Sequence, residues 1–186
     1  KGNYAEEDTD FTLSDPVGKQ KITAHSFIRA QTLESTALRI GRVLGIGLPH
    51  RVSFFDRIRS GAGDKQAFEA SKKKKRSYVS TTSFVLAMEK VLAGEFPSRH
   101  RVLHLGGANI TEFELVQSWY SLMGTDPKLV TERDDAKHDL SLQSSLLETQ
   151  YPGWKAEGKQ ELLTNLLEQL NPALGTKRWQ RAVQSL

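Results

Sequence analysis

The chain has 186 residues, of which 38% are hydrophobic, with a formal net charge of +4 and no cysteine. This length is sufficient for one substantial core, and the lack of cysteine excludes disulfides, a thiolate nucleophile and zinc–cysteine sites. No apolar run approaches the roughly 20 residues that cross a bilayer, and the first residues show no signal-peptide core. We therefore expect a cytoplasmic protein with no membrane partner, which the absence of cysteine also suits.

The positive charge is concentrated in the run "KKKKR", from Lys72 to Arg76. Without these five charges the net charge of +4 would become −1. No aromatic residues alternate with the lysines and no nucleic-acid-binding motif surrounds them. The run therefore predicts a solvated loop, and a nucleic-acid partner ranks far below the other functions considered below.

The first fifteen residues are acidic and rich in turn formers, which predicts an extended surface segment. The next stretch, "SDPVGKQK" (Ser14–Lys21), combines a turn signal with a glycine and two lysines. A phosphate-binding turn, the opening of a helix and the remnant of a catalytic motif are all compatible with it. Apolar residues at helical spacing predict a helix from about Gly18 to Leu33, and the β-rich stretch Thr36–Gly45 predicts a strand.

In the middle of the chain, "VSFFDRIRSG" predicts a short helix ending at Gly61, and "QAFEA" predicts a short strand. "RSYVS" predicts a strand that leads into a helix from Thr82 to Ala93. This helix has the i, i+3, i+4, i+7, i+8 pattern of one buried face, formed by Phe84, Ala87, Met88, Val91 and Leu92.

The second half begins with the clearest strand signal, "RVLHLGG". Thr111 and Glu114 have capping-box spacing, which predicts the start of a helix that ends at Gly124. Its buried face is predicted to contain Val116, Trp119, Tyr120 and Met123. "PKLVT" predicts a strand and residues 134–148 a polar segment ending in a short helix.

Two helices are predicted near the end of the chain. The first is a leucine-rich amphipathic helix, and residues 176–186 form the last one. The leucines of the first are Leu162, Leu163, Leu166, Leu167 and Leu170. The alternation of strands and helices along the whole chain indicates an α/β fold.

The residues that could carry chemistry do not form a complete site. The five histidines are scattered, so a metal site has little support, and His104 in its apolar strand indicates a packed histidine rather than a base. The adjacent Asp134 and Asp135 point in different directions, which disfavours a carboxylate acid–base pair. The glycine clusters Gly45–Gly47 and Leu105–Gly107 do not complete G-x-G-x-x-G, and no serine lies in a nucleophile elbow. We expect no NAD or NADP to bind to this chain alone.

Five stretches occur in a particular order: "GNYAEEDTDFTLSDPVGKQK", "ALRIGRVLGIG", "RSYVSTTSFVLAMEKVL", "VLHLGGANITEFELVQSWYSLMG" and "HDLSLQSSLLETQYPGW". In this order they resemble successive motifs of the extended short-chain dehydrogenases, especially the dTDP-4-dehydrorhamnose reductase branch. The first resembles Y-x-E-x-D followed by a proline and Y-G-x-x-K, the second A-L-R-x-x-x-V-y-G, the fourth yHLsG and the fifth dvsLdssk. Each motif is weak alone, but the ordered set covers nearly the whole chain.

The resemblance implies the C-terminal part of a Rossmann-like extended short-chain dehydrogenase with its substrate-binding subdomain. Residues 1–45 would end the Rossmann-like part, residues 46–186 would be mainly the substrate-binding subdomain, and residues 82–105 would pack back on the Rossmann-like part. Family members are longer, and their N-terminal part holds the glycine-rich loop for NAD or NADP and a catalytic Ser or Thr. We therefore expect Lys1 to lie at a cut inside a larger domain, completed by a missing N-terminal segment or a partner chain.

In the family, the tyrosine of Y-x-x-x-K transfers a proton at the sugar carbonyl, and the lysine lowers the tyrosine pKa and binds the nicotinamide ribose. Here Lys21 matches the lysine and Gly18 the glycine, but Val17 occupies the tyrosine position and cannot transfer a proton. Tyr4 lies in the acidic leader and matches a different position. Arg76 is a candidate contact to the diphosphate of a nucleotide sugar, with an ordinary surface arginine as the equal alternative.

Two functions follow from the resemblance. The first is the substrate-binding portion of an NAD(P)-dependent nucleotide-sugar reductase or epimerase that is catalytically impaired because of Val17. The second is a non-catalytic regulatory or binding protein that keeps the reductase fold, as the regulatory subunit of methionine adenosyltransferase does. The sugar, the nucleotide, the choice of NAD or NADP and the oligomeric state, a homo-oligomer included, stay open.

Overall fold

The computed structural model of the protein describes residues 2–6, 16–30, 36–48, 50–95, 102–151 and 154–170. The helices in these ranges are α1 (Pro16–Ala30), α2 (Phe54–Gly63), α3 (Thr81–Leu92), α4 (Glu112–Leu122), α5 (Ser145–Gln150) and α6 (Lys159–Leu170), with a 3-10 turn at Pro127–Leu129. The strands are β1 (Ala37–Ile40), β2 (Arg42–Leu44), β3 (Phe68–Ala70), β4 (Lys74–Ser80), β5 (Val102–Leu105), β6 (Ala108–Thr111), β7 (Val130–Glu132) and β8 (His138–Leu140). This order confirms the α/β class.

β1 and β5 form a parallel pair in which Leu38 stands beside Leu103 and Arg39 beside His104. Because successive strand residues point to opposite faces, the two faces of this pair differ in character. The leucine face packs against α3 and α5 in a core cluster whose buried members are Ala87, Leu103, Leu105 and Leu147. The other face carries Arg39 and His104 and meets α1, where His25 approaches Arg39.

β4 is the centre of a second, four-stranded sheet. It pairs in parallel with β2 and β8, and antiparallel with β6. β2 follows β1 after Gly41 alone, where an added Cβ would lie 2.7 Å from the Ser77 carbonyl oxygen. Only glycine fits this close approach, so it marks the point where the chain passes from one sheet to the other. β3 and β7 form a further parallel pair.

The main core lies between the second sheet and the helices α2, α4 and α6. Its largest buried side chains include Phe55, Tyr78, Trp119 and Tyr120, and the Phe55 and Trp119 rings meet edge to face at 4.8 Å between centroids. α6 contributes four leucines, as its amphipathic pattern predicts: Leu162, Leu163, Leu166 and Leu167. Burial of these apolar side chains is the dominant favourable contribution to folding of this part.

The start and end of α4 are confirmed in detail. The Thr111 hydroxyl accepts a hydrogen bond from the Glu114 N–H at 3.1 Å, and the Glu114 carboxylate accepts from the Thr111 N–H at 2.7 Å. This reciprocal pair is the capping box that the spacing predicts. Gly124 has a φ of +71°, a left-handed conformation that ends helices and favours glycine.

Four details of the predicted elements are wrong. The strand predicted over Thr36–Gly45 is two strands, β1 and β2, which belong to different sheets. Gly61 lies inside α2 rather than at its end. A Cβ added at this position would lie 2.5 Å from the Tyr120 hydroxyl, so glycine serves here to let α2 and α4 approach each other. Leu92, the last residue of α3, is 82% exposed rather than part of a buried face. "PKLVT" is a 3-10 turn followed by β7 rather than one strand.

The strands β6 and β8 are additions that the sequence pattern does not predict, and both pair with β4. Residues 7–15 of the acidic leader and the predicted helix at residues 176–186 lie outside the described residues. None of the helices in the described ranges combines the length and the apolar character that a bilayer crossing requires.

Candidate ligand-binding site

The helix α1 carries the two positions that match the tyrosine and the lysine of Y-x-x-x-K. Positions 17 and 21 are one helical turn apart, and the Lys21 side chain is exposed. Arg76, the other candidate residue, lies on β4 and is half-buried. The two candidate residues therefore come from separate elements, and Arg76 has the more enclosed surroundings.

Arg76 belongs to a cluster of arginines on the core-side face of the second sheet. Arg42 pairs in register with Tyr78, and Arg76 lies two residues before Tyr78, so the three side chains share one face. The Arg42 guanidinium lies over the Phe54 ring at 4.1 Å from its centroid, and that of Arg57 lies 5.6 Å from the same centroid. This stacking holds the Arg42 guanidinium in a fixed plane.

Burial is the largest influence on the pKa of Arg42, and neighbouring groups act on it in both directions. Burial lowers the pKa of Arg42, the charges of Arg76 and Arg57 lower it further, and Tyr78 and Glu112 oppose this. Glu112 is 5% exposed and accepts a hydrogen bond from Arg133 Nη2 at 3.1 Å. The buried carboxylate is thus shared between Arg133 and the cluster, so the cluster keeps an excess of positive charge.

Tyr78 adds an unsatisfied polar atom to the cluster. Its side chain is fully buried, its hydroxyl lies within reach of the Arg42 guanidinium, and the hydroxyl hydrogen has no acceptor among the described residues. Burial raises the pKa of Tyr78 to about 12, against the opposing effect of the nearby Arg42 charge, so the hydroxyl is a neutral donor at neutral pH. A buried polar atom without a partner costs about 1–3 kcal/mol, which marks this position as one where a ligand oxygen could accept a hydrogen bond.

The cluster is suited to an anion with several oxygens. Guanidinium groups only donate hydrogen bonds, and their fork geometry matches phosphate oxygens. The carboxyl end of β1 leads through Gly41 directly into Arg42, and parallel α/β sheets bind ligands beyond the carboxyl ends of their strands. Arg42, Arg76 and the Tyr78 hydroxyl therefore form a candidate site for a phosphate or diphosphate.

Only the first two lysines of the run, Lys72 and Lys73, lie in the exposed loop that the sequence predicts. Lys74, Lys75 and Arg76 belong to β4, and the three leading lysines each meet an acidic residue. The pairs are Lys72–Glu132 at 2.9 Å, Lys73–Asp134 at 2.7 Å and Lys74–Asp135 at 3.2 Å. The prediction is wrong for the residues from Lys74 to Arg76, because they pair as a strand with β6 and β8. The acidic residues from Glu132 to Asp135 lie beside the start of this strand, a proximity that sequence spacing does not reveal.

These pairs also account for the two adjacent aspartates. Asp134 meets Lys73, whereas Asp135 accepts from Arg133 Nε at 2.8 Å, so the two carboxylates diverge as predicted. His104 is fully buried with its ring nitrogens in contact with Arg39 and the Gln143 carbonyl, which confirms a packed histidine. No group of three or more His, Cys, Asp or Glu side chains in the described ranges is arranged to hold a metal ion.

Sequence reasoning finds Arg76 but misses Arg42, Phe54 and Tyr78. Each is an ordinary residue in its own segment: a strand arginine, a helix phenylalanine and a strand tyrosine. They meet only because β2 pairs with β4 in the observed register and α2 covers that pair. A regular alternation in "RSYVS" places Arg76 and Tyr78 on one face, and this is the single signal in the sequence that could link two members of the site.

The order of parallel strands and covering helices gives the chain a fold like that of Rossmann-like extended short-chain dehydrogenases of known structure. This confirms, at the level of the fold, the resemblance stated from the sequence motifs. The sequence itself matches no protein-family model and no curated protein.

The solved structures to which the chain is similar include enzymes that are named for nucleotide sugars. A dTDP-glucose 4,6-dehydratase from Bacillus anthracis in complex with NAD is 16% identical with a TM-score of 0.71, and the match covers 98% of this chain and 59% of that one. A dTDP-4-dehydrorhamnose reductase from Clostridium acetobutylicum is 17% identical with a TM-score of 0.73, over 91% and 60%. A UDP-N-acetylglucosamine 4-epimerase from Methanobrevibacter ruminantium, in complex with UDP-N-acetylmuramic acid, is 19% identical with a TM-score of 0.63, over 88% and 56%. The chain therefore spans less than two thirds of the length of each.

Proposed function

We propose that this chain is the substrate-binding portion of an NAD(P)-dependent nucleotide-sugar reductase- or epimerase-like protein, and that Arg42 and Arg76 bind the diphosphate of the nucleotide sugar. The observation that carries the proposal is the arginine cluster beside the Tyr78 hydroxyl, whose hydrogen has no acceptor among the described residues. The similar solved structures support it, because they include enzymes of dTDP- and UDP-sugars.

The proposed organisation follows the family. Residues 1–45 end the Rossmann-like part, residues 46–186 form mainly the substrate-binding subdomain, and residues 82–105 pack back on the Rossmann-like part. The pairing of β1 with β5 supports this, as does the core shared by Leu38, Ala87 and Leu103. β1 has one strand partner among the described strands, so a cofactor-binding part, from a longer chain or a partner chain, has an open edge to pair with.

The proposal includes impaired catalysis. A reductase needs a group that transfers a proton to the substrate carbonyl, and the position one helical turn before Lys21 is occupied by Val17. Lys21 would retain the contact to the nicotinamide ribose in a complete protein, where NAD or NADP is the cofactor. We place the protein in the cytoplasm, where reducing conditions suit a chain without cysteine.

Val17 also favours the second candidate, a non-catalytic protein that keeps the reductase fold for binding or regulation. Both candidates share the nucleotide-sugar site and differ in turnover. Residual turnover of a 4-keto sugar nucleotide by the protein with its cofactor-binding part therefore separates them, while ligand binding by this chain tests what they have in common.

The binding test is a calorimetric titration of the full 186-residue chain with dTDP, UDP and inorganic diphosphate. We expect at least one of the nucleoside diphosphates to bind. Arg42→Ala and Arg76→Ala should each weaken that binding about 10- to 100-fold, because a charge-assisted hydrogen bond contributes about 1.5–3 kcal/mol. Lys128→Ala, which changes an exposed lysine on the 3-10 turn, serves as the matched control for a lost positive charge.

Two outcomes would contradict the proposed site. One is a parent protein that binds neither nucleoside diphosphate. The other is binding that Lys128→Ala weakens as much as Arg42→Ala does, since a nonspecific charge effect would then be sufficient. Binding of inorganic diphosphate alone would restrict the site to the phosphate groups and would contradict a nucleotide-sugar ligand.

A further inference from the structure

The guanidinium of Arg39 joins three elements of the fold. Its Nη1 lies 3.1 Å from His104 Nε2 on β5, and its Nη2 lies 3.4 Å from His25 Nε2 on α1. The Nδ1 of His104, a fully buried residue, lies 2.9 Å from the carbonyl oxygen of Gln143. A continuous chain of polar contacts thus runs from α1 through β1 to β5 and on to the segment before α5.

These contacts determine where the imidazole hydrogens are. A guanidinium has N–H donors and no acceptor, so an Nε2 that bonds to Arg39 must be unprotonated and accept. The Gln143 carbonyl only accepts, so Nδ1 of His104 must carry a hydrogen and donate it. His104 is therefore neutral in its Nδ1–H tautomer, and His25 presents an unprotonated Nε2 to Arg39.

Charges of both signs surround His104. Burial is the main influence that lowers the pKa of His104, and the positive charge of Arg39 lowers it further. Glu6, which is 5% exposed, raises the pKa in the opposite direction, as do hydrogen bonds to the backbone of Gln143 and Tyr4. The groups that face His104 are thus Arg39 on β1, Glu6 and Tyr4 in the N-terminal segment, and the Gln143 carbonyl.

We propose that Arg39 is a positioning residue that fastens α1 to the β1–β5 sheet through His25 and His104, and that proton binding by these histidines releases the fastening. A proton on either Nε2 would face an N–H of the guanidinium, so a hydrogen bond is lost and two positive charges meet. This inference concerns the attachment of α1 and does not depend on nucleotide-sugar binding.

The direction of the pH dependence follows from His104. Its folded pKa lies below the unfolded value of about 6.5, so a state in which the contacts of His104 are broken binds more protons below that pH. The attachment is therefore complete above about pH 6.5 and weakens as the pH falls toward the folded pKa. One histidine accounts for up to about a tenfold change in the equilibrium per pH unit in that window.

The test is amide hydrogen exchange of residues 20–28 in the full chain between pH 5 and 7.5, corrected for the pH dependence of intrinsic exchange. We expect the protection of α1 to fall by up to about tenfold per pH unit below pH 6.5. Imidazole ¹⁵N shifts in the same samples should show His104 as the Nδ1–H tautomer at pH 7. Protection of α1 that stays constant over this range, or a His104 that is protonated at pH 7, would overturn the inference.

Substitutions test whether the pH dependence of α1 protection arises in the cluster of Arg39, His25 and His104. His25→Gln keeps a side-chain oxygen that accepts from Arg39 but cannot be protonated, so α1 should stay protected at pH 7 with a shallower pH dependence. His138→Gln changes an exposed histidine on β8 and should keep the parent profile. If α1 protection changes with pH equally steeply in the parent, His25→Gln and Arg39→Lys, the pH dependence arises outside the cluster of Arg39, His25 and His104. That result would overturn the inference.

Discussion

Tyr78 is the residue at which one substitution should change ligand binding and the free energy of unfolding in opposite directions. The hydrogen of its buried hydroxyl has no acceptor among the described residues, so it costs free energy in the protein without ligand. Most buried hydroxyls are satisfied within the protein, and Tyr120 is a nearby example, since its hydroxyl donates to the Gln66 carbonyl at 3.0 Å. Two buried tyrosines in one core therefore predict opposite effects of the same substitution.

Tyr78→Phe is expected to increase the free energy of unfolding by about 1 kcal/mol, because it removes an unsatisfied buried polar atom. The same change should weaken nucleoside diphosphate binding, because the ligand loses a hydrogen-bond donor. Tyr120→Phe is the matched control: it should lower stability by about 1 kcal/mol and leave ligand binding unchanged. Urea unfolding and calorimetry measure both effects, and a Tyr78→Phe protein that is destabilised while binding normally would show that the hydroxyl has a partner within the protein.

At the scale of the elements, the N-terminus of α3 is tied to the C-terminal part of the described chain. Ser80 is the N-cap of α3, and its N–H donates to the Glu157 carboxylate at 2.6 Å. The Asn165 side chain of α6 donates to the other oxygen of that carboxylate at 2.6 Å. Glu157 is 3% exposed, and the positive end of the α3 dipole favours its negative charge. This buried carboxylate therefore holds α6 against α3.

We expect Glu157→Gln to lower the free energy of unfolding by about 2–3 kcal/mol, because one of its two accepting oxygens becomes a donor that faces another donor. Asn165→Ala should cost a smaller amount, and the double variant should be less destabilised than the sum of the two. Glu161→Gln, an exposed residue in the first turn of α6, controls for the loss of one negative charge. Additive effects in chemical denaturation would show that the two side chains act independently.

The elements that the sequence predicts well are those whose signal is local. α4 and α6 have apolar residues at helical spacing, and the capping box of Thr111 and Glu114 is contained within four residues. β6 and β8 are missed because strands of three or four residues are defined by their pairing with β4 rather than by composition. Gly61 is misplaced for the same reason, since its close contact is with Tyr120 on another helix.

The residues of the candidate site also differ in whether their signal in the sequence is local. Lys21 and Arg76 come from motif order, which a single sequence contains, whereas Arg42 and Phe54 join the site through the pairing of β2 with β4 and the packing of α2. The Arg39 cluster is likewise formed by residues 25, 39 and 104, which are far apart in the chain. Long-range register is therefore the physical information that spacing and propensity do not supply.

At the scale of the whole molecule, the positive charge of the described residues does not form one basic surface. The lysine run is matched by the acidic residues from Glu132 to Asp135, in pairs that are too exposed to contribute much stability but close enough to cancel the local field. The positive charge that remains concentrated and partly buried is that of Arg42 and Arg76. The proposed anion site is thus one compact cluster, which suits a small ligand better than a nucleic acid.

The last prediction concerns turnover. The 186 residues contain no glycine-rich loop and no tyrosine one turn before Lys21, so the chain should bind a nucleoside diphosphate without binding NADPH and without reducing a 4-keto sugar nucleotide. Fluorescence titration with NADPH tests whether the cofactor binds. Binding of dTDP by the same sample shows that the protein is folded and able to bind a ligand. Micromolar NADPH affinity would contradict the expectation for the cofactor. Robust NADPH-dependent turnover that Lys21→Ala leaves unchanged would show that position 17 and Lys21 are not the active-site pair, because a proton donor elsewhere would then perform the reaction.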